Sequence, residues 1–153
     1  VSFGGVDQYH LTDKVIAMLH VKKNVKRIDA IVGKEYQENT NHSSLPDVFF
    51  HRSVSAQEVV DIFLNSDLTV LSASTICLEA LSCRTFIAAG YYIDNQIELY
   101  NYMLQKKLIL GLGCLLELEF SNINNIKYSK INFSIIDNIV NITNHYVECF
   151  KFL

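Results

Sequence analysis

Residues 68–96, LTVLSASTICLEALSCRTFIAAGYYIDNQ, decide how the chain is read. Leu68, Thr69, Val70 and Leu71 form a short β-rich apolar run; the small residues Ser72, Ala73 and Ser74 follow, and then an amphipathic segment carrying Glu79. A second apolar run over 85–89 leads to a polar turn at Asp94, Asn95 and Gln96. The order predicts strand, tight turn, helix, strand and loop. Small residues between a strand and a helix let a ligand approach the backbone, where the first helical N–H groups are unpaired and the dipole end is positive. A phosphate suits that position. Glu79 lies about two helical turns further on, outside the phosphate cradle, where its carboxylate would accept from ribose hydroxyls. Read blandly, Ser72, Ser74 and Thr75 are helix caps and Glu79 is an exposed helix residue.

Upstream, residues 1–3 read as a strand, Gly4-Gly5 as the turn after it and 7–20 as a helix with Leu11, Val15, Ile16 and Leu19 on one face. The turn is either an ordinary βα connection or one that faces a ligand. Lys22, Lys23, Lys26 and Arg27 read as a solvated helix end favoured by the macrodipole. Residues 28–32 give the next strand, closed by Gly33, and 34–47 a polar loop holding the only proline, Pro46. Residues 48–50 form a short strand and 51–54 a loop. Ser55 with Glu58 makes a capping box for a helix to about Asn65 that buries Val59, Ile62 and Phe63. His51 is a surface loop residue or a ligand contact.

Downstream, Asn95 and Gln96 open a helix to about Lys107, and either amide could instead meet a ligand, with Asp94 as a plain cap. Residues 108–110 with Gly111 read as a last strand, 114–120 as a short helix, 121–130 as a loop and 134–150 as an amphipathic helix. Gly111-Leu112-Gly113 lacks the third glycine of a dinucleotide fingerprint. Alternating strands and helices predict an α/β fold, a Rossmann-like parallel sheet with helices on both faces. Ligands bind such sheets beyond the carboxyl ends of the strands, where Gly4-Gly5, Val54, 72–75 and Asn95-Gln96 would gather.

At 153 residues, half of them hydrophobic and 19% charged, the chain is expected to be one globular domain, 1–153. A net charge of −3 leaves no basic footprint for nucleic acid. No apolar run reaches the roughly 20 residues of a membrane span, and no signal peptide is visible. Cys77, Cys83, Cys114 and Cys149 show no zinc spacing, and no metal or other cofactor is expected. Reduced, buried thiols fit a cytoplasmic protein. The start at Val1 rather than Met suggests an excised domain.

SASTICLEAL followed by Asp94-Asn95-Gln96, with VSFGGVD at the start, resembles the C-terminal nucleotide-binding half of GT-B-type sugar-nucleotide enzymes. The likeness is to the UDP-sugar hydrolase of the pseudaminic acid pathway and its relatives in spore-coat polysaccharide biosynthesis. More distantly, the chain resembles MurG, the lipid-II-forming N-acetylglucosaminyltransferase. The resemblance covers about residues 1–111. Ala73 stands where MurG-like chains carry Gly, and the hydrolases themselves carry a Ser-Ala-Ser run. The resemblance implies that Gly4 and Gly5 lie beside the diphosphate of UDP or a UDP-sugar, and that Ser72, Ala73, Ser74 and Thr75 hold it. Glu79 would bind ribose, the loop with His51 and Val54 the base, and Asn95 and Gln96 would face the cleft. It also implies a separate N-terminal catalytic domain, so that this chain alone binds without turnover. The competing reading is a non-catalytic α/β interaction or regulatory domain that has lost the nucleotide, with Tyr91, Tyr92, Tyr100 and Tyr102 as a partner surface.

Overall fold

The computed structural model describes residues 1–39, 41–42 and 45–124. In chain order the elements are α1 (Leu11–His20), β1 (Ile28–Val32), β2 (Val48–Arg52), α2 (Ala56–Leu64), β3 (Thr69–Ser72), α3 (Thr75–Ser82), β4 (Ile87–Tyr91), α4 (Ile97–Gln105), β5 (Leu110–Cys114) and α5 (Phe120–Asn124). Every strand pairing is parallel: β1 with β2 in one small sheet, and β3–β4–β5 in another. The architecture is α/β, as expected.

Residues 1–3 lie between the two sheets. On one side the Val1 nitrogen donates to the Asp29 carbonyl at 2.7 Å, and the Val1 carbonyl accepts from the Ile31 N–H at 2.9 Å. On the other side the Ser2 N–H donates to the Val70 carbonyl at 3.1 Å, and the Ser2 carbonyl accepts from the Ser72 N–H at 3.3 Å. The segment is too short to form a strand of its own, yet its two edges join the sheets in the order β2, β1, residues 1–3, β3, β4, β5. Counted as the first strand, it gives the doubly wound order 3-2-1-4-5-6, whose direction of winding reverses between residues 1–3 and β3.

Period-two alternation sends neighbouring residues of each central strand to opposite faces. Ala30, Val70 and Ala88 enter one core, together with Phe3, Leu11, Val15, Ile16 and Leu19 and with Ile123 of α5. Ile31, Leu71 and Ala89 enter the other, with Val59 and Phe63 of α2, Cys77, Ala80 and Leu81 of α3, and Tyr100 and Met103 of α4. A sheet covered on both faces explains the nearly continuous apolar runs of β3 and β4. Burial pushes the Cys77 thiol up to about 11, although the backbone at Ser74 opposes the shift, so this cysteine is an inert packing residue. No helix of the described residues is long and apolar enough to cross a membrane.

The boundaries differ from expectation in instructive places. The α1 helix begins at Leu11 rather than Asp7, because Asp7 and His10 both sit at positive φ, 40° and 51°. His51 and Arg52 belong to β2, paired with Ile31 and Val32, instead of forming a loop. The last strand, expected over 108–111, is β5 at Leu110–Cys114 and runs on through Gly113; a register shift between Ala89 and Gly90 and a φ of 73° at Gly113 let the glycines continue the pairing. The expected 114–120 helix is a single 3₁₀ turn (Leu115–Glu117), and α5 occupies part of the expected loop. The 134–150 helix and Cys149 lie outside the described residues.

At the carboxyl end of β1, a Cβ on Gly33 would collide with the backbone of Gly5. Two turns from different strands therefore touch main chain to main chain, which only glycine at position 33 permits. Gly33→Ala should lower the unfolding free energy by about 2–3 kcal/mol. Urea unfolding of the variant beside the wild type checks this, and unchanged stability would mean that the 4–5 turn is free to move away.

Candidate functional site

The crevice at the reversal is bounded by the carboxyl ends of residues 1–3 and of β3. Gly4 leaves the sheet at a φ of 96°, a conformation that side-chain-bearing residues avoid, and both Gly4 and Gly5 are exposed. Tyr92, from the end of β4, crosses to this point. Its hydroxyl donates to the Phe3 carbonyl at 2.9 Å, and its ring meets Tyr9 edge to face with centroids 5.8 Å apart. The backbone N–H of Tyr92 donates to the Gln96 side-chain oxygen at 3.0 Å. Buried Gln96 is thus a bracket for the β4 exit, whereas Asn95 is exposed. Neither Gln96 nor Asp94 gives a side-chain cap to α4.

An inventory of N–H groups narrows the cradle expected at 72–75. The Ser72 N–H is bound by the Ser2 carbonyl, the Ala73 N–H by the Gly90 carbonyl at 2.7 Å, and the Ser74 N–H by the Ser72 carbonyl at 2.8 Å. Ser72 and Ala73 are almost fully buried, and the Ser72 carbonyl also accepts from the Cys77 thiol at 3.1 Å. Three of the four N–H groups therefore hold the turn together. Ser74, the N-cap of α3, makes no side-chain bond to the helix, which leaves the N–H groups of Thr75 and Ile76 without a partner among the described residues. With the exposed Thr75 hydroxyl, they form a small donor set at a positive dipole end, beside the half-buried Ser74 hydroxyl, which contacts the Ser72 hydroxyl at 3.3 Å and the Ser72 carbonyl at 3.5 Å.

The α1 helix presents the opposite case. The Asp7 carboxylate accepts from the N–H groups of Leu11 at 2.9 Å and Thr12 at 2.8 Å. Asp7 is 5% exposed, so an internal carboxylate already occupies the place an external anion would take. Sequence reasoning placed Asp7 inside the helix. The signal that would have found it is an acidic residue a few positions ahead of the first apolar-periodic residue.

The other expected contacts are dispersed. His51 donates through Nε2–H to the Asp29 carboxylate at 2.7 Å, and Arg27 forks onto the same carboxylate at 2.7 and 2.8 Å while its guanidinium lies 4.4 Å from the Phe49 ring centroid. This cluster lies on β1 and β2, away from the reversal. Val54 packs against the α2–α3–α4 core from the loop ahead of α2, where the capping box of Ser55 and Glu58 is complete. Glu79 is exposed on α3 and forms no ion pair among the described residues. The described residues contain no cluster of His, Cys, Asp and Glu able to hold a metal. A groove of about 270 Å³, lined by Leu19, Lys22, Asp29, Asp67 and Leu68 among others, opens at the amino ends of the strands. It lies on the edge opposite the crevice, where parallel α/β sheets do not build their ligand sites.

The Asp29 carboxyl is subject to opposed effects. Burial raises its pKa, but hydrogen bonds from Arg27 and His51 and their charges outweigh burial and hold it below its ordinary value. A depressed carboxyl contributes stability above its unfolded-state pKa and loses it as pH falls through the folded-state one. Wild-type stability should therefore decline as the pH drops below about 4. Asp29→Asn should be less stable at neutral pH and decline less steeply in acid. Urea unfolding at neutral and acid pH reads both, and parallel slopes would remove Asp29 from the acid response.

Comparison with protein families, with curated proteins and with solved structures finds no match to this chain.

Proposed function

We propose that the chain is the UDP-sugar-binding half of a GT-B-type enzyme, a UDP-sugar hydrolase or glycosyltransferase of bacterial surface polysaccharide biosynthesis. The observation that carries this reading is the uncapped start of α3 at the reversal of the sheet, with the open N–H groups of Thr75 and Ile76 facing the crevice edge next to Gly4 and Gly5. On this reading the diphosphate is held at Thr75, Ile76 and the Ser74 hydroxyl rather than by all four residues of the turn. Ala73 shapes the turn, Glu79 reaches ribose, and the segment from His51 to Val54 lies toward the base. Chemistry belongs to an N-terminal catalytic domain that closes over the crevice.

A second reading has its own observation. Asp7 fills the start of α1, Gln96 is engaged by Tyr92, and three of the four cradle N–H groups are bound internally. An interaction domain that has lost its nucleotide would look the same at these positions.

Thr75→Pro separates the two. Proline suits the first helical position, and Ser74 is already extended, at φ −141° and ψ −170°, as a residue before proline should be. The variant removes one open N–H and a hydroxyl and should keep the fold. Calorimetric titration with UDP, with ADP and GDP as controls, should give saturable, UDP-preferring binding for the wild type and an affinity about tenfold lower for Thr75→Pro. Glu79→Ala should also weaken UDP without loss of stability. A well-folded wild type that binds no nucleotide would favour the interaction domain.

A further inference from the structure

We infer that Tyr9 is the stacking wall for the sugar ring of a nucleotide-sugar, and that this ring stands on the α1 side of the sheet. The inference rests on the nucleotide reading above and adds to it the place and the recognition of the sugar.

Tyr92 fixes where the wall stands. Its backbone leaves the end of β4, and its hydroxyl donates to the Phe3 carbonyl at 2.9 Å. In the order of the strands, β3 lies between those two points. The side chain therefore spans the carboxyl end of β3, where the chain turns to Ser74 and α3. That turn is tied to β4 by the Ala73 N–H, which donates to the Gly90 carbonyl two residues before Tyr92. Tyr92 packs against the core that holds Phe3 and α1, whereas α3 belongs to the other core. The end of β3 thus has the start of α3 on one side and Tyr92 on the other.

Tyr9 stands on Tyr92, edge to face, with centroids 5.8 Å apart. The turn ahead of α1 holds it there: the His10 N–H donates to the Asp7 carbonyl at 2.9 Å, and the Asp7 carboxylate ties the turn to the helix. The Tyr92 hydroxyl also lies against Gly4, where an added Cβ would be 3.7 Å from it, and an added Cβ on exposed Gly5 would meet nothing within 4 Å. The tyrosine pair therefore borders open space at the glycine turn.

Tyr9 differs from the other exposed rings. Among the described residues, the exposed aromatic side chains are Tyr9, Phe49, Tyr102 and Phe120. Arg27 lies over Phe49 at 4.4 Å, Lys106 over Tyr102 at 5.8 Å and Lys22 over Phe120 at 5.9 Å. Tyr9, 46% exposed, has no cation over it among the described residues. A bare, fixed aromatic ring is a surface for a flat ligand face that carries partial positive charge, and the C–H face of a pyranose is one.

The path of the ligand agrees. Val54 packs into the α2–α3–α4 core and Glu79 lies on α3, so the nucleoside runs along that side of the sheet. From a diphosphate at Thr75 and Ile76, the sugar then leaves toward the opposite side, where Tyr9 stands. The ligand class is a nucleoside diphosphate hexopyranose gripped by its apolar face.

The test is calorimetric titration of the whole chain with UDP-N-acetylglucosamine and, separately, with UDP. Wild type should bind both. Tyr9→Ala should lose about tenfold in affinity for UDP-N-acetylglucosamine and less than about twofold for UDP. Tyr9→Leu keeps apolar bulk without a ring and should show the same selective loss; Tyr9→Phe keeps the ring and should restore the affinity. The residue is half-exposed, so thermal unfolding of all three should stay cooperative. Equal weakening of both ligands, or wild-type affinity for the sugar nucleotide in Tyr9→Ala or Tyr9→Leu, overturns the inference. So does a wild type that binds UDP and not UDP-N-acetylglucosamine. These results leave the nucleotide reading standing. A folded wild type that binds neither compound overturns both.

Discussion

The structure depends on a three-residue segment that hydrogen-bonds on both edges. Residues 1–3 take two bonds from β1 and two from β3, and without them the chain is two small sheets with no reason to share a plane. Phe3, fully buried, holds the segment from below by packing into the α1 core. A large aromatic at that depth is worth several kcal/mol against truncation, about 3–5 for Phe to Ala in other cores. The same segment sets the reversal of winding, because the chain leaves it toward β1 and later returns to its other side at β3. Fold and crevice thus have one origin.

That origin explains why the two helix starts at the crevice are treated differently. The α1 start receives an internal carboxylate from Asp7, and the α3 start receives nothing from Ser74. If both were filled, the crevice would offer an anion no donors. If both were open, two sets of orphan N–H groups would face each other over a narrow gap. The observed division leaves one donor set open and makes the other wall acidic at depth, with Asp7 and Asp13 behind a turn of two glycines.

Much of this was legible in the residues. The strand–helix alternation, the capping box of Ser55 and Glu58, and the apolar faces of α1 and α2 are all local patterns, and local patterns are what a sequence displays. The parallel sheet followed from them. The limits of the last strand were harder to place: expected over 108–111, it runs over Leu110–Cys114, continued through Gly113 by a register shift that depends on the partner strand. The state of the cradle was illegible for a different reason. Whether the Ala73 N–H is free depends on the Gly90 carbonyl, seventeen positions away and brought alongside only by parallel pairing. Gln96 is similar: an amide beside a turn suggests a ligand contact, and only the path of Tyr92 shows that its oxygen accepts from the Tyr92 N–H at the β4 exit.

The cluster of Arg27, Asp29, His51 and Phe49 lies on β1 and the outermost strand, β2. A terminal strand offers a row of unused backbone groups to any extended chain that meets it, and an exposed aromatic there would make the encounter sticky. Phe49 is 42% exposed, but a guanidinium locked in place by Asp29 lies over its ring. An incoming strand would have to displace a fixed charge to reach the covered face of the ring. The same ion pair that responds to acid therefore also lays a fixed charge over part of the aromatic surface on the outermost strand.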